Sequence, residues 1–148
     1  TMPTDEGRAL LNDIATEESG HAEMICVMVH QLLEGASKEE LEKAGLTGQY
    51  VEHGLGIYPV DVNGIPFDAK TFASTGDAVV DLAEDMAAEE KARIVYEHLI
   101  DISNDDDVID VLLYLRQREI VHYNMFKKLY VYVILYTNLI LSGRKLFS

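Results

Sequence analysis

Apolar side chains recur at every third or fourth position through the first part of the chain. Between Thr4 and Glu34 this spacing predicts one face of a long α-helix, and Gly35 is typical of the position that follows a helix C-terminus. Two polar residues interrupt the otherwise apolar stripe. The stripe consists of Leu10, Leu11, Ile14, Glu18, His21, Ile25, Met28 and Leu32.

The same periodicity predicts two further long helices. One begins after Asp77, a favourable N-cap residue, and ends near Ile102; the other follows the acidic turn at 104–107. Because the turn between them is short, these helices should pack antiparallel. The stripe of the second helix is Val79, Leu82, Met86, Glu89, Arg93, Tyr96 and Ile100. The stripe of the third is Val108, Leu112, Leu115, Glu119, His122, Phe126 and Leu129.

A long stretch without helical periodicity separates the first two long helices. Ser37 and Glu40 form a capping box, which predicts a short helix ending near Ala44. From Gly45 to Gly76 glycines and prolines mark turns, so we predict an irregular connection. Such a connection is uncommon in a compact domain, but a crossover between parallel helices of a bundle requires one. The pattern therefore predicts an all-α fold.

The C-terminal stretch from Leu129 to Leu141 is strongly apolar but only thirteen residues long. A membrane-spanning helix needs about 20 residues, so we expect no membrane insertion. We interpret residues 129–148 as an atypical apolar segment that follows a domain at 1–128. This segment could pack within the protein as a surrogate fourth helix or against a partner.

The formal net charge is −14. A surface this acidic repels phosphate, which argues against nucleic-acid binding and favours cations or neutral small molecules as partners. The alternative is that the acidity only confers solubility. The single cysteine, Cys26, excludes an internal disulfide or a CxxC site, and the chain opens without a signal-peptide pattern. Both observations favour cytoplasmic synthesis.

Carboxylates and imidazoles lie within the apolar stripes. Glu18 and His21 form one Glu-x-x-His motif, Glu119 and His122 form a second, and Glu89 lies between them in sequence. Residues i and i+3 share a helix face, and charged groups are rarely buried unless they are paired or bind metal. Two divalent cations would remove the cost of burial. The alternative is a buried salt-bridge network through the three arginines of the later helices, Arg93, Arg116 and Arg118.

Three segments resemble the manganese catalase family: residues 13–25, residues 85–93 and residues 118–122. The segment 58–64 is similar to the crossover of the spore-coat branch of that family, the CotJC-like proteins. The likeness extends over residues 2–128.

The resemblance implies a ferritin-like four-helix bundle that disproportionates hydrogen peroxide to water and dioxygen. It implies that Glu18, His21, Glu89 and His122 ligate two manganese ions, with iron as the alternative, and that Glu119 acts as a proton base. It also implies a homo-oligomer associated with the spore coat and other coat proteins. One alternative is a structural coat protein without full activity, and another is a ferritin-like di-metal binding protein.

The sequence departs from the family pattern at its two ends. The first family helix carries another carboxylate ligand and would precede Thr1, so we expect three long helices here. Asp5 and Glu6 lie about 18 Å along the helix from Glu18 and cannot replace that ligand. The segment after Lys128 contains no aspartate, glutamate or histidine. A bundle without one helix exposes an apolar groove, which predicts self-association.

Overall fold

The computed structural model describes residues 2–46, 65, 66, 68 and 74–144, and the regular structure of these residues is helical. The helices are α1 (Asp5–Leu32), α2 (Lys38–Lys43), α3 (Ala78–Ile102) and α4 (Asp106–Arg144). This result confirms the predicted all-α class and the three long helices. Most of the predicted irregular connection, including the segment 58–64 used for the family resemblance, lies outside the described residues.

The helix N-termini form where the sequence places capping side chains. At α2, the Ser37 hydroxyl accepts a hydrogen bond from the Glu40 amide at 3.3 Å, and the Glu40 carboxylate accepts one from the Ser37 amide at 2.8 Å. Asp77 accepts a hydrogen bond from the Val79 amide at 2.9 Å at the start of α3. Asp105 caps α4 in the same way. These side chains satisfy amides that have no partner within the first helical turn.

The chain divides into two compact units, of which the first comprises Thr1–Glu18 and Ser74–Ser148 and the second comprises Ser19–Ala73. In the first unit α3 and α4 pack along each other and are joined by a turn at residues 103–105. The core of this unit unites side chains from the start of the chain, α3 and α4. Its buried members are Met2, Ile14, Leu82, Phe126, Leu129 and Val133.

The apolar C-terminal stretch lengthens α4. The helix continues through residue 128 without interruption, so the surrogate fourth helix considered above is a wrong interpretation: residues 129–144 belong to α4. Leu129 and Val133 are buried in the core, whereas Leu135 and Leu139 are 63% and 72% exposed. None of the described helices is both long enough and apolar enough to cross a membrane.

Removing the Leu82 side chain should destabilise the protein strongly. Leu82 is fully buried in the core, so Leu82→Ala should lower the free energy of unfolding by about 2–5 kcal/mol. The exposed Leu135 provides the matched control, for which Leu135→Ala should change it by no more than about 0.5 kcal/mol. Denaturant titration followed by circular dichroism measures both values. Equal effects of the two substitutions would contradict the position of the core.

Candidate metal centre

Four of the five side chains singled out from the sequence converge within the first unit. Glu18 lies on α1, Glu89 on α3, and Glu119 and His122 on α4. One potential ligand atom from each lies within 4.8 Å of the ligand atoms of the others. We refer to these four residues as the carboxylate–histidine cluster. Glu89, Glu119 and His122 are buried, with exposures of 7%, 2% and 0%.

His21, the fifth candidate, belongs to the second unit. It follows Glu18 by one turn of α1 and is 5% exposed. His21 and Glu18 share one face of the helix. The burial of His21 agrees with its position in the predicted apolar stripe. Its assignment as a metal ligand stays a prediction.

The His122 ring lies between carboxylates on its two sides. Its Nδ1 atom is 2.6 Å from Glu18 Oε1 and 3.9 Å from Glu89 Oε2, so this side of the ring faces the cluster. Its Nε2 atom is 2.6 Å from Glu17 Oε2. Arg118 donates hydrogen bonds from Nη2 to both carboxylate oxygens of Glu17, at 2.9 and 2.8 Å. The two nitrogens of one imidazole thus have different carboxylate environments.

Burial and mutual repulsion set the protonation of the cluster carboxylates. Burial raises the pKa of Glu89 to about 9, and a hydrogen bond with Glu119 and the charges of Glu119, Glu18 and Asp85 add to this. Burial raises the pKa of Tyr96 to about 12, and the charges of Glu119, Glu18 and Glu89 add to this. Without a cation, Glu89 therefore retains its proton at neutral pH.

The residues present fit a divalent metal ion. The donor atoms are carboxylate oxygens and imidazole nitrogen without thiolate, which suits manganese, iron or zinc. A bound cation would favour ionised Glu89 and would offset the repulsion among the three glutamates. A bound cation would therefore lower the pKa of Glu89, which burial and the neighbouring glutamates raise.

The metal-free protein should lose stability as the pH rises from 4.5 to about 9. Glu89 has a pKa of 4.5 in the unfolded chain and of about 9 in the folded chain. Within this window the folded protein keeps a proton that the unfolded chain has released, so the free energy of unfolding falls by at most about 1.4 kcal/mol per pH unit. Denaturant unfolding at several pH values measures this slope.

The control for this slope is Glu89→Gln. The amide does not titrate, so the pH dependence of this variant should be clearly flatter. A wild-type stability that rises across the same window would contradict the raised pKa of Glu89.

The sequence left open a buried salt-bridge network through three arginines. These arginines bind glutamates outside the carboxylate–histidine cluster. Arg93 binds Glu90 and Glu97, each at 2.8 Å, and Arg116 lies 3.8 Å from Glu97. Arg118 binds Glu17. These ion pairs lie on the partly exposed sides of the helices, where such pairs contribute little to stability.

Glu17 is the residue that the sequence reasoning missed. Hydrogen bonds from His122 and then Arg118 hold the pKa of Glu17 below its usual value. Glu17 lies one position before Glu18, about 100° around the helix from the apolar stripe, so periodicity did not mark it. The available signal was Arg118, which precedes His122 by one helical turn and supplies a cation beside it.

The helical fold and the carboxylate–histidine cluster together define a ferritin-like protein with a candidate metal centre. Residues 1–134 match the family model described as manganese containing catalase. The chain therefore belongs to the manganese catalase family, as the resemblance predicts. The match ends at residue 134, beyond residue 128, the predicted end of the likeness.

Individual relatives agree with this assignment. The chain is 48% identical to Protein CotJC of Bacillus subtilis (strain 168) over 128 residues, which cover 86% of this chain and 67% of that protein. It is 32% identical to a manganese catalase of Bacillus subtilis over 138 residues, covering 85% of this chain and 50% of the catalase. A probable manganese catalase of Clostridium acetobutylicum is 33% identical over 119 residues, which cover 80% of this chain and 53% of that protein. The chain thus spans about half the length of these two catalases.

Proposed function

We propose that the chain forms a dimanganese catalase-type protein, associated with the spore coat, that disproportionates hydrogen peroxide to water and dioxygen. Membership of the manganese catalase family supports the chemistry. The observation that carries the proposal is the convergence of ligand atoms from Glu18, Glu89, Glu119 and His122 within 4.8 Å. Similarity to CotJC and the spore-coat branch that the sequence resembles support the location.

Glu18, His21, Glu89 and His122 would hold two manganese ions, with iron as the alternative metal. Bound manganese supplies exchange between its 2+ and 3+ states, so that one peroxide molecule is oxidised to dioxygen while another is reduced to water. The balance is two molecules of hydrogen peroxide to two of water and one of dioxygen. The role left to the protein is to hold the metals and to move protons.

Glu119 is the proposed proton base. It lies on α4 one turn before His122, is 2% exposed, and has an oxygen within reach of the other cluster ligand atoms. A buried carboxylate in this position can accept a proton from peroxide and return it to the oxygen that leaves as water. In the metal-free protein it shares a hydrogen bond with Glu89.

A structural coat protein that keeps the fold but lacks full activity is the second candidate. The observation that favours it is the difference in similarity, since identity to CotJC is 48% and identity to the two catalases is 32% and 33%. A ferritin-like protein that binds two metals without peroxide turnover is the further alternative. All three candidates share the fold and differ in metal content and oxygen release.

Oxygen release from peroxide distinguishes these candidates. The purified chain is loaded with Mn²⁺, separated from free metal, analysed for bound metal and assayed in an oxygen electrode, with the final filtrate as the control for free manganese. The proposal predicts bound manganese and oxygen release that exceeds the filtrate. Bound metal without oxygen release would favour a di-metal store or oxidase, and absence of bound metal would favour the structural coat protein.

A further inference from the structure

Glu17 connects the partly buried Arg118 to the fully buried ring of His122. Its side chain is 43% exposed, whereas the His122 side chain is fully buried. Glu17 Oε2 lies 2.6 Å from His122 Nε2, and both of its oxygens accept hydrogen bonds from Arg118 Nη2. Glu17 is therefore held from two sides, by the partly buried Arg118 and by the fully buried His122.

Glu17 and Glu18 approach opposite nitrogens of the His122 ring at the same distance, 2.6 Å, but only Glu18 belongs to the group of potential ligand atoms. An ionised carboxylate only accepts hydrogen bonds, so the Nε2 atom of His122 carries the hydrogen in this contact. The opposite nitrogen, Nδ1, faces Glu18 and Glu89. A histidine that ligates a metal through one nitrogen commonly donates its other N–H to a carboxylate, which sets the tautomer and the ring orientation.

We propose that Glu17, held by Arg118, is a positioning residue that fixes His122 with its Nε2–H donated outward and its Nδ1 directed at the metal. This inference rests on the proposed function, because it requires His122 to be a ligand. Arg118 offsets the charge of Glu17, so that this additional carboxylate can approach the acidic cluster with less repulsion. Glu17 itself lies outside the group of potential ligand atoms around Glu18.

A purely structural role for Glu17 is the competing explanation. As a partly exposed ion pair with Arg118, Glu17 could do no more than connect α1 to α4. Loss of such a pair would change stability slightly and would leave metal affinity unchanged. The positioning role predicts the same small change in stability but a large change in metal affinity.

Mn²⁺ affinity tests the positioning role. Free Mn²⁺ is quantified by electron paramagnetic resonance during titration of the wild type, Glu17→Ala, Glu17→Gln and, as matched control, Glu23→Ala, at an exposed glutamate of the same helix. Glu17→Ala should weaken binding by about 10–100-fold. Glu17→Gln should weaken Mn²⁺ binding less, because the amide oxygen accepts the same hydrogen bond. Glu23→Ala should bind Mn²⁺ with wild-type affinity. The thermal unfolding of each metal-free variant is recorded alongside to confirm folding.

Nitrogen-15 spectra of labelled histidine report the tautomer directly, in the metal-free protein and with Zn²⁺ as a diamagnetic probe. The wild type should show His122 protonated at Nε2 with a hydrogen-bonded signal, and Glu17→Ala should lose that signature. Unchanged Mn²⁺ affinity and an unchanged His122 spectrum in Glu17→Ala would overturn the positioning role alone. A wild type that binds no Mn²⁺ would instead contradict the proposed function.

Discussion

Glu119→Gln should leave manganese bound and slow oxygen release from peroxide by about 10²–10⁴-fold, the usual contribution of a positioned base. Glutamine has nearly the same shape as glutamate and retains an oxygen, but it cannot accept the proton that leaves peroxide. The 2% exposure of Glu119 means that bulk water cannot readily take over this role. Metal content by elemental analysis and the rate of oxygen release, measured on the same preparation, test the prediction.

The control is Glu84→Gln, at an exposed position of α3, which should retain both metal and activity. Full turnover by Glu119→Gln would show that Glu119 is not the base. Loss of metal together with turnover would identify Glu119 as a ligand, which its distance from the other cluster atoms also permits.

His122→Ala should abolish detectable manganese binding at the concentrations that saturate the wild type. The loss of affinity should exceed the decrease of about 10–100-fold expected on removal of an outer partner such as Glu17. The substitution removes both the Nδ1 atom that would bind the metal and the contact with Glu17. The measurement is equilibrium dialysis against Mn²⁺ followed by elemental analysis, and circular dichroism of the metal-free variant verifies that it folds.

His98→Ala is the matched control, because His98 is an exposed histidine of α3 and should bind manganese as the wild type does. A folded His122→Ala variant with wild-type manganese affinity would contradict the assignment of His122 as a ligand. Equal losses in both histidine variants would indicate non-specific binding.

The helices could be predicted because their signals are local. Three-to-four-residue spacing marked the long helices, and the side chains of Ser37 and Asp77 marked the N-termini of α2 and α3. The end of α4 was harder, because the segment after Lys128 is rich in β-branched and aromatic residues that favour strands as much as helices. Leu129 and Val133 continue the spacing of Phe126 into the core, and this tertiary packing extends the helix.

The cluster could be predicted because its residues are polar or charged, whereas their neighbours on the same helix faces are apolar. Glu18, Glu89, Glu119 and His122 stand in apolar stripes, where a charged or titratable group needs a partner. Glu17 follows no such rule, since a glutamate beside the stripe is ordinary on a helix surface. Its role depends on Arg118, 101 positions away in sequence, and only the tertiary structure of the first unit brings them together.

Anomalous scattering at the manganese absorption edge, from crystals of the Mn²⁺-loaded protein, locates the metal directly. We predict two peaks beside the carboxylate–histidine cluster, of which only one lies at coordination distance from the Nδ1 atom of His122, with carboxylate oxygens of Glu18 and Glu89 among the other ligands. Peaks confined to surface carboxylates, or cluster side chains that point away from one another, would contradict the account.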